Sequence, residues 1–150
     1  MIRIRSQRRS FVLLVPLVLG VLCCPSVFAA SADNTEIRQI FDADQKDREG
    51  PPDKLDWAKI NPRDAARRSR IQELLGQGQL RTGKDYERAA FVFQHGDGSD
   101  DTLMAHVLAV TAIGKGDLRA RWIAAATLDR FLQRVGQPQI FGTQDRKSVV

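Results

Sequence analysis

Polar side chains stand where a helical pattern wants apolar ones, and their types are those of acid–base and anion-binding chemistry. In Ala89-Ala90-Phe91-Val92-Phe93-Gln94-His95-Gly96 an apolar helix ends, with no polar transition, in an amide, an imidazole and a glycine. Asp44 and Arg48 continue the helical face that carries Ile37, Ile40 and Phe41. Asp129 is flanked at helical spacing by Trp122, Ala125, Ala126 and Leu132, and His106 lies between Leu103 and Val110. A charge buried alone is costly, so such groups pair with one another or change protonation state.

Read as chemistry, His95 is the candidate general acid or base, oriented by Asp129 or Asp44. Arg48 and Arg130 suit an anionic group, Gln45, Gln94 and Gln144 suit an amide or carboxylate, and His106 is a further candidate ligand contact. A helix C-terminus at His95 favours the protonated imidazole. Each residue also has a structural reading: Asp44 and Arg48 as an i,i+4 ion pair, His106 as a satisfied core histidine, Asp129 and Arg130 as packing partners. A side-chain nucleophile finds no support, since there is no G-x-S-x-G and Ser69 and Ser99 read as helix-surface and cap residues. His95, Asp97, His106 and Asp129 offer metal-ligand types without ligand spacing, and Asp97, Asp100 and Asp101 do not follow a calcium loop, so neither metal nor cofactor is expected.

The ends of the 150-residue chain bound what can fold around these residues. Arg3, Arg5, Arg8 and Arg9 precede the apolar run Phe11 to Leu22, and small residues follow, which is the pattern of a secretory signal peptide over residues 1–32. Export to the periplasm or beyond is therefore expected. Arg8-Arg9-Ser10-Phe11-Val12 resembles a twin-arginine signal, although the strongly apolar run fits the ordinary unfolded-export route better. Cys23 and Cys24 leave with the leader, so no disulfide or thiolate site is expected. The apparent basicity leaves too: 23 Lys and Arg drop to 19 against 18 Asp and Glu, which argues against a nucleic-acid partner. At the other end Asp145-Arg146-Lys147-Ser148-Val149-Val150 has no helical or strand logic and reads as an adapter-derived tail on a truncated chain.

Residues 33–144 then form one all-α domain of about five helices, packed as antiparallel pairs and loosely like tetratricopeptide or Sel1 arrays. The first helix is expected over Asn34 to Glu49, closed by Gly50-Pro51-Pro52. Asp53 to Ile60 is expected as a loop anchored on the core by Trp57, and Asn61-Pro62-Arg63-Asp64 as the start of the second helix. Its arginines Arg63, Arg67, Arg68 and Arg70 read as a solvated face. The third helix, Asp85 to His95, is apolar on every side after its first turn and so buried. The fourth runs to Ile113 with Leu103, Val107 and Val110 inward, the fifth spans Asp117 to Val135, and Pro138 to Gln144 is a non-helical coda. No membrane-spanning segment is expected after the leader.

Five motifs occur in order: Phe41-Asp-Ala-Asp-Gln-Lys-Asp-Arg48, Asp85-Tyr-x-x-Ala-Ala-x-x-Phe-Gln-His-Gly96, Ala105-His106-x-Leu-Ala109, Trp122 to Arg130 with its Leu-Asp-Arg end, and Gln139-Ile-Phe-Gly-Thr-Gln144. In these the chain resembles an uncharacterised bacterial family, a domain of unknown function numbered 6624, over essentially all of the mature chain to Gln144. The resemblance implies no activity. It implies that Asp44, Gln45, Arg48, Gln94, His95, Asp129, Arg130 and Gln144 belong to a signature, and that similar proteins continue past the Gly-Thr-Gln element into a further helical segment. Two functions fit these residues. One is a pocket for a small-molecule or peptide-like ligand, hydrolytic if His95 acts as acid or base. The other is a non-catalytic helical interaction module whose buried polar network is structural and whose partner binds an outer face. Whether the protein is an enzyme is left open.

Overall fold

The computed structural model describes residues 31–144 and is all-helical over them, with no strand. The expected export signal, apart from Ser31 and Ala32, and the tail Asp145–Val150 lie outside the described residues. Five α-helices follow one another: α1 Thr35–Lys46, α2 Trp57–Gly76, α3 Gly83–Phe93, α4 Ser99–Gly114 and α5 Arg121–Arg134. Short 3-10 turns, Pro52–Lys54 and Leu118–Ala120, precede α2 and α5. None of these helices is long and apolar enough to cross a membrane.

Three of the five helix starts have a side chain capping the first free amides; α4 starts from Gly98, not from a Ser99 cap, and α5 from Ala120, both without one. The Asn34 side chain accepts from the amides of Glu36 and Ile37, and Thr82 with Asp85 forms a reciprocal capping box on α3. Asp85 is fully buried because it does more than cap: its carboxylate also accepts from the amides of Arg81 and Asn34, tying the start of α1 to the start of α3. The second helix departs from expectation. It begins at Trp57, capped by Asp56, which places Pro62 inside its second turn, where only one backbone bond is forgone. Trp57 is exposed and donates its ring N–H to the Pro52 carbonyl, so Ile60, not Trp57, anchors this segment in the core.

Side-chain contacts give the directions. Asp47–Arg63, Ala43–Arg67 and Glu36–Arg70 run in opposite order along α1 and α2, so these helices are antiparallel. His106 reaching Ala124 and Arg134 reaching Gly98 make α4 and α5 antiparallel. By contrast, Phe41–Phe91 with Asp44–His95, and Phe91–Trp122 with Gln94–Arg130, run in the same order. The odd-numbered helices α1, α3 and α5 therefore lie parallel, side by side, with their C-terminal ends together. α4 packs on both α3 and α5. The core is formed by Ile37, Ile71, Val92, Phe93, Leu108 and Ile123, packed around a run of alanines on α3 and α4.

The inward face expected for α4 is corrected. Leu103, Val107 and Val110 are 40%, 50% and 49% exposed, whereas Thr102, Ala105, Leu108, Ala109 and Ala112 are buried. A helix wedged between two neighbours needs small side chains on the wedge side, and three alanines meet that need better than the larger residues. The periodicity is silent here because α4 is apolar all round.

Candidate functional site

The gathered C-terminal ends of α1, α3 and α5 hold most of the polar residues singled out above, in two adjoining groups. In the first, Asp44 lies fully buried on α1. Its carboxylate accepts from Gln45 Nε2 at 2.8 Å and from Arg48 Nη1 at 2.9 Å, and His95 Nε2 approaches the same carboxylate to 3.5 Å. Arg48 also donates to Asp64 on α2, whose second partner is Arg67. Arg67 reaches on to Asp47, and Arg63 closes the chain of charges at 3.0 Å from Asp47. The ionic network thus stitches α1 to α2. Arg67 and Arg68 are largely buried and paired, Arg68 with Asp101, which corrects the expectation of a solvated face for these two, while Arg63 and Arg70 remain solvated at 56% and 43% exposure.

In the second group Asp129 is fully buried on α5, and its partners are all in the turn at 140–143. It accepts from the amides of Ile140, Phe141 and Thr143 and from the Thr143 hydroxyl, at 2.7–2.9 Å. Burial pushes its pKa up, but the bonds from Phe141, Thr143 and Ile140 outweigh this and hold it below the ordinary aspartate value. Asp129 therefore does not orient His95, as one sequence reading had it; Asp44 is the carboxylate beside the imidazole. Arg130 donates to the Gln94 carbonyl at 2.9 Å and to Gln144, and Gln144 donates to the Ala126 carbonyl. Arg134 donates to the carbonyls of Gly96 and Gly98. Both arginines complete the carbonyl-rich end of α3.

His106 lies apart, on the seam between α4 and α5, with Nδ1 2.9 Å from the Ala124 carbonyl. Gly96 closes the turn after His95 so tightly that a Cβ would fall 2.2 Å from the Asp101 side chain. Asp97 and Asp100 are exposed, and among the described residues no three His, Cys, Asp or Glu side chains are placed to share a metal ion.

The electrostatics of the first group differ from expectation. Burial lowers the His95 pKa to about 4, with the positive charges of Arg48, Arg130 and Arg68 adding to it. The imidazole is uncharged at neutral pH, and the helix end does not overcome burial. Burial also raises the Asp44 pKa to about 6, Arg48 and the Gln45 hydrogen bond opposing and Asp64 adding to the rise. The 3.5 Å contact is thus not an ion pair between these two side chains. It joins a neutral imidazole to a carboxyl that carries its charge only above about pH 6.

One turn before Gln45 and His95 stand Phe41 and Phe91, packed edge to face at 5.8 Å between ring centres. Phe91 stacks in turn on Trp122 of α5 at 6.4 Å. The imidazole is 23% exposed and Trp122 61% exposed, so the row of rings and the histidine present a shared outer face on the odd-numbered helices. The cavity of about 320 Å³ lined by Ala32, Asp33, Asn34, Thr35, Glu36, Gln79 and Arg81 lies elsewhere, at the N-terminal end of α1. Sequence reasoning missed Asp64, Arg67 and Asp85. The Thr82-x-x-Asp85 spacing signals the third, and Asp64-x-x-Arg67 hints at a pair, but their partners at the two ends of α1 leave no local trace. Comparison with family models, curated proteins and solved structures finds no match to the chain.

Proposed function

We propose that this is an exported helical binding module that holds a peptide-like or small aromatic ligand on the face shared by α1, α3 and α5. The observation that carries this reading is the row Phe41–Phe91–Trp122 ending, one turn on, at the 23% exposed, neutral imidazole of His95. An apolar wall closed by a few fixed polar groups is the chemistry of ligand recognition. His95 and the exposed Gln45 amide supply hydrogen bonds to a peptide group, while the ionic network beneath fixes α1 against α2. Arg48 and Arg130 are engaged within the protein, so an anionic group is not the main determinant. The motif-based resemblance to the domain-of-unknown-function family is compatible with this reading and adds no ligand.

The test uses the full chain carrying Trp57→Phe, so that Trp122 is the sole indole, titrated with N-acetyl-phenylalanine amide and a set of phenylalanine-containing dipeptides. Saturable change in Trp122 fluorescence, weakened tenfold or more by His95→Ala without loss of helicity, is the expected result. Absence of any saturable response, or binding indifferent to His95, would remove the proposal. A hydrolytic reading draws on one observation, the 3.5 Å approach of a neutral imidazole to Asp44, which suits a general base. Turnover of a p-nitrophenyl ester that vanishes in both His95→Ala and Asp44→Asn would favour it over plain binding.

A further inference from the structure

We propose that the outer face of α4 is the contact between two copies of this chain, set antiparallel about a two-fold axis at Val107. From Thr102 to Gly114 the helix carries no Asp, Glu, Lys or Arg. A helix apolar on all sides belongs to a surface covered on all sides, yet α3 and α5 cover only part of it. Leu103, Val107 and Val110 remain 40–50% exposed in one stripe, four and three residues apart.

The stripe is self-complementary in one direction only. Antiparallel pairing centred on Val107 sets Val107 against itself, Leu103 against Thr111 and Met104 against Val110 of the other copy. It also brings the exposed Asp100 at one end of the stripe to the end that carries the exposed Lys115. Parallel pairing would instead oppose Asp100 to Asp100. The residue facing Asp100 across the axis is Gly114, the last residue of α4 and without a side chain to stand in the way. Among the described residues nothing lies within 4 Å of where its Cβ would be, so the space beside it is open to a second helix. The helix is about 24 Å long at 1.5 Å per residue, a short contact by the standard of stable interfaces. The dimer is therefore reversible and concentration-dependent.

The experiment is sedimentation velocity on the full chain over a hundredfold concentration range, beside Val107→Glu. The expected result is a monomer–dimer equilibrium that Val107→Glu abolishes, with unchanged far-ultraviolet helicity. Should Val107→Glu disturb the fold, Val107→Cys in a Cys23→Ser, Cys24→Ser background decides. Mild oxidation is expected to give a disulfide joining residue 107 of one copy to residue 107 of another, identified by peptide mass. A chain monomeric at every concentration, a dimer that survives Val107→Glu, or a failure to cross-link overturns the proposal. None of these outcomes bears on ligand binding at His95.

Discussion

At His95 and Asp44, folding moves a proton. In the unfolded chain near pH 5 the imidazole is charged and the carboxyl is ionised; once packed together, the imidazole is neutral and the carboxyl protonated. The linkage follows from the two shifts. His95 has a lowered pKa, so its contribution to stability is present above the unfolded value of 6.5 and is lost as pH falls toward about 4. Asp44 has a raised pKa, so its contribution is present below 3.8 and is lost as pH rises through about 6. Across the window between, the two slopes oppose each other and this pair leaves stability nearly flat with pH. His95→Ala removes one slope. We expect that variant's urea midpoint to fall as pH rises from 4 to 6 more steeply than the parent's, and an NMR titration of the parent to place the imidazole below pH 5. An imidazole titrating at or above 6.5 would refute the neutral pair.

Between elements, the charge network between α1 and α2 has a different vulnerability. Asp44 and Asp64 are both buried and are joined through the guanidinium of Arg48, with Arg67 3.0 Å from Asp64 and 4.0 Å from Asp44. Replacing Arg48 by Met keeps the volume but leaves Arg67 alone to offset two buried carboxylates. A loss of roughly 3–5 kcal/mol is expected, the range for removing one member of a buried pair. Denaturant unfolding at pH 7 measures it, and a loss under 1 kcal/mol would show that the network is better hydrated than its burial implies. How far such elements are legible from sequence depends on range. Helix number and the polar positions in the core follow from spacing along one helix. Asp129 was legible as a polar core position and not as the clamp on residues 140–143, because its partners are backbone amides that no side-chain pattern marks. Asp64 looked like a helix-start acid because its meaning lies in Arg48, on another helix. The face of α4 was unreadable for the opposite reason, since an all-apolar helix has no contrast to read.

Over the whole molecule, stability is spread unevenly. α3 and α4 contribute Val92, Phe93, Leu108 and many alanines to the core, whereas α1 fully buries only Ile37 and Asp44. Segments with few buried apolar contacts open first. Amide hydrogen exchange is accordingly expected to be at least tenfold faster in α1 than in α3 and α4 under native conditions; equal protection would make the domain a single cooperative unit. α1 is also the helix whose long-range partner, α3, lies beyond α2 in the chain, while α3, α4 and α5 pack on sequence neighbours. Those three can assemble before α1 docks. The helix that docks late and leaves early is the one that carries Asp44 and one ring of the aromatic row. A ligand seated on that row would therefore hold α1 down, so that the lifetime of the docked helix follows the occupancy of the face.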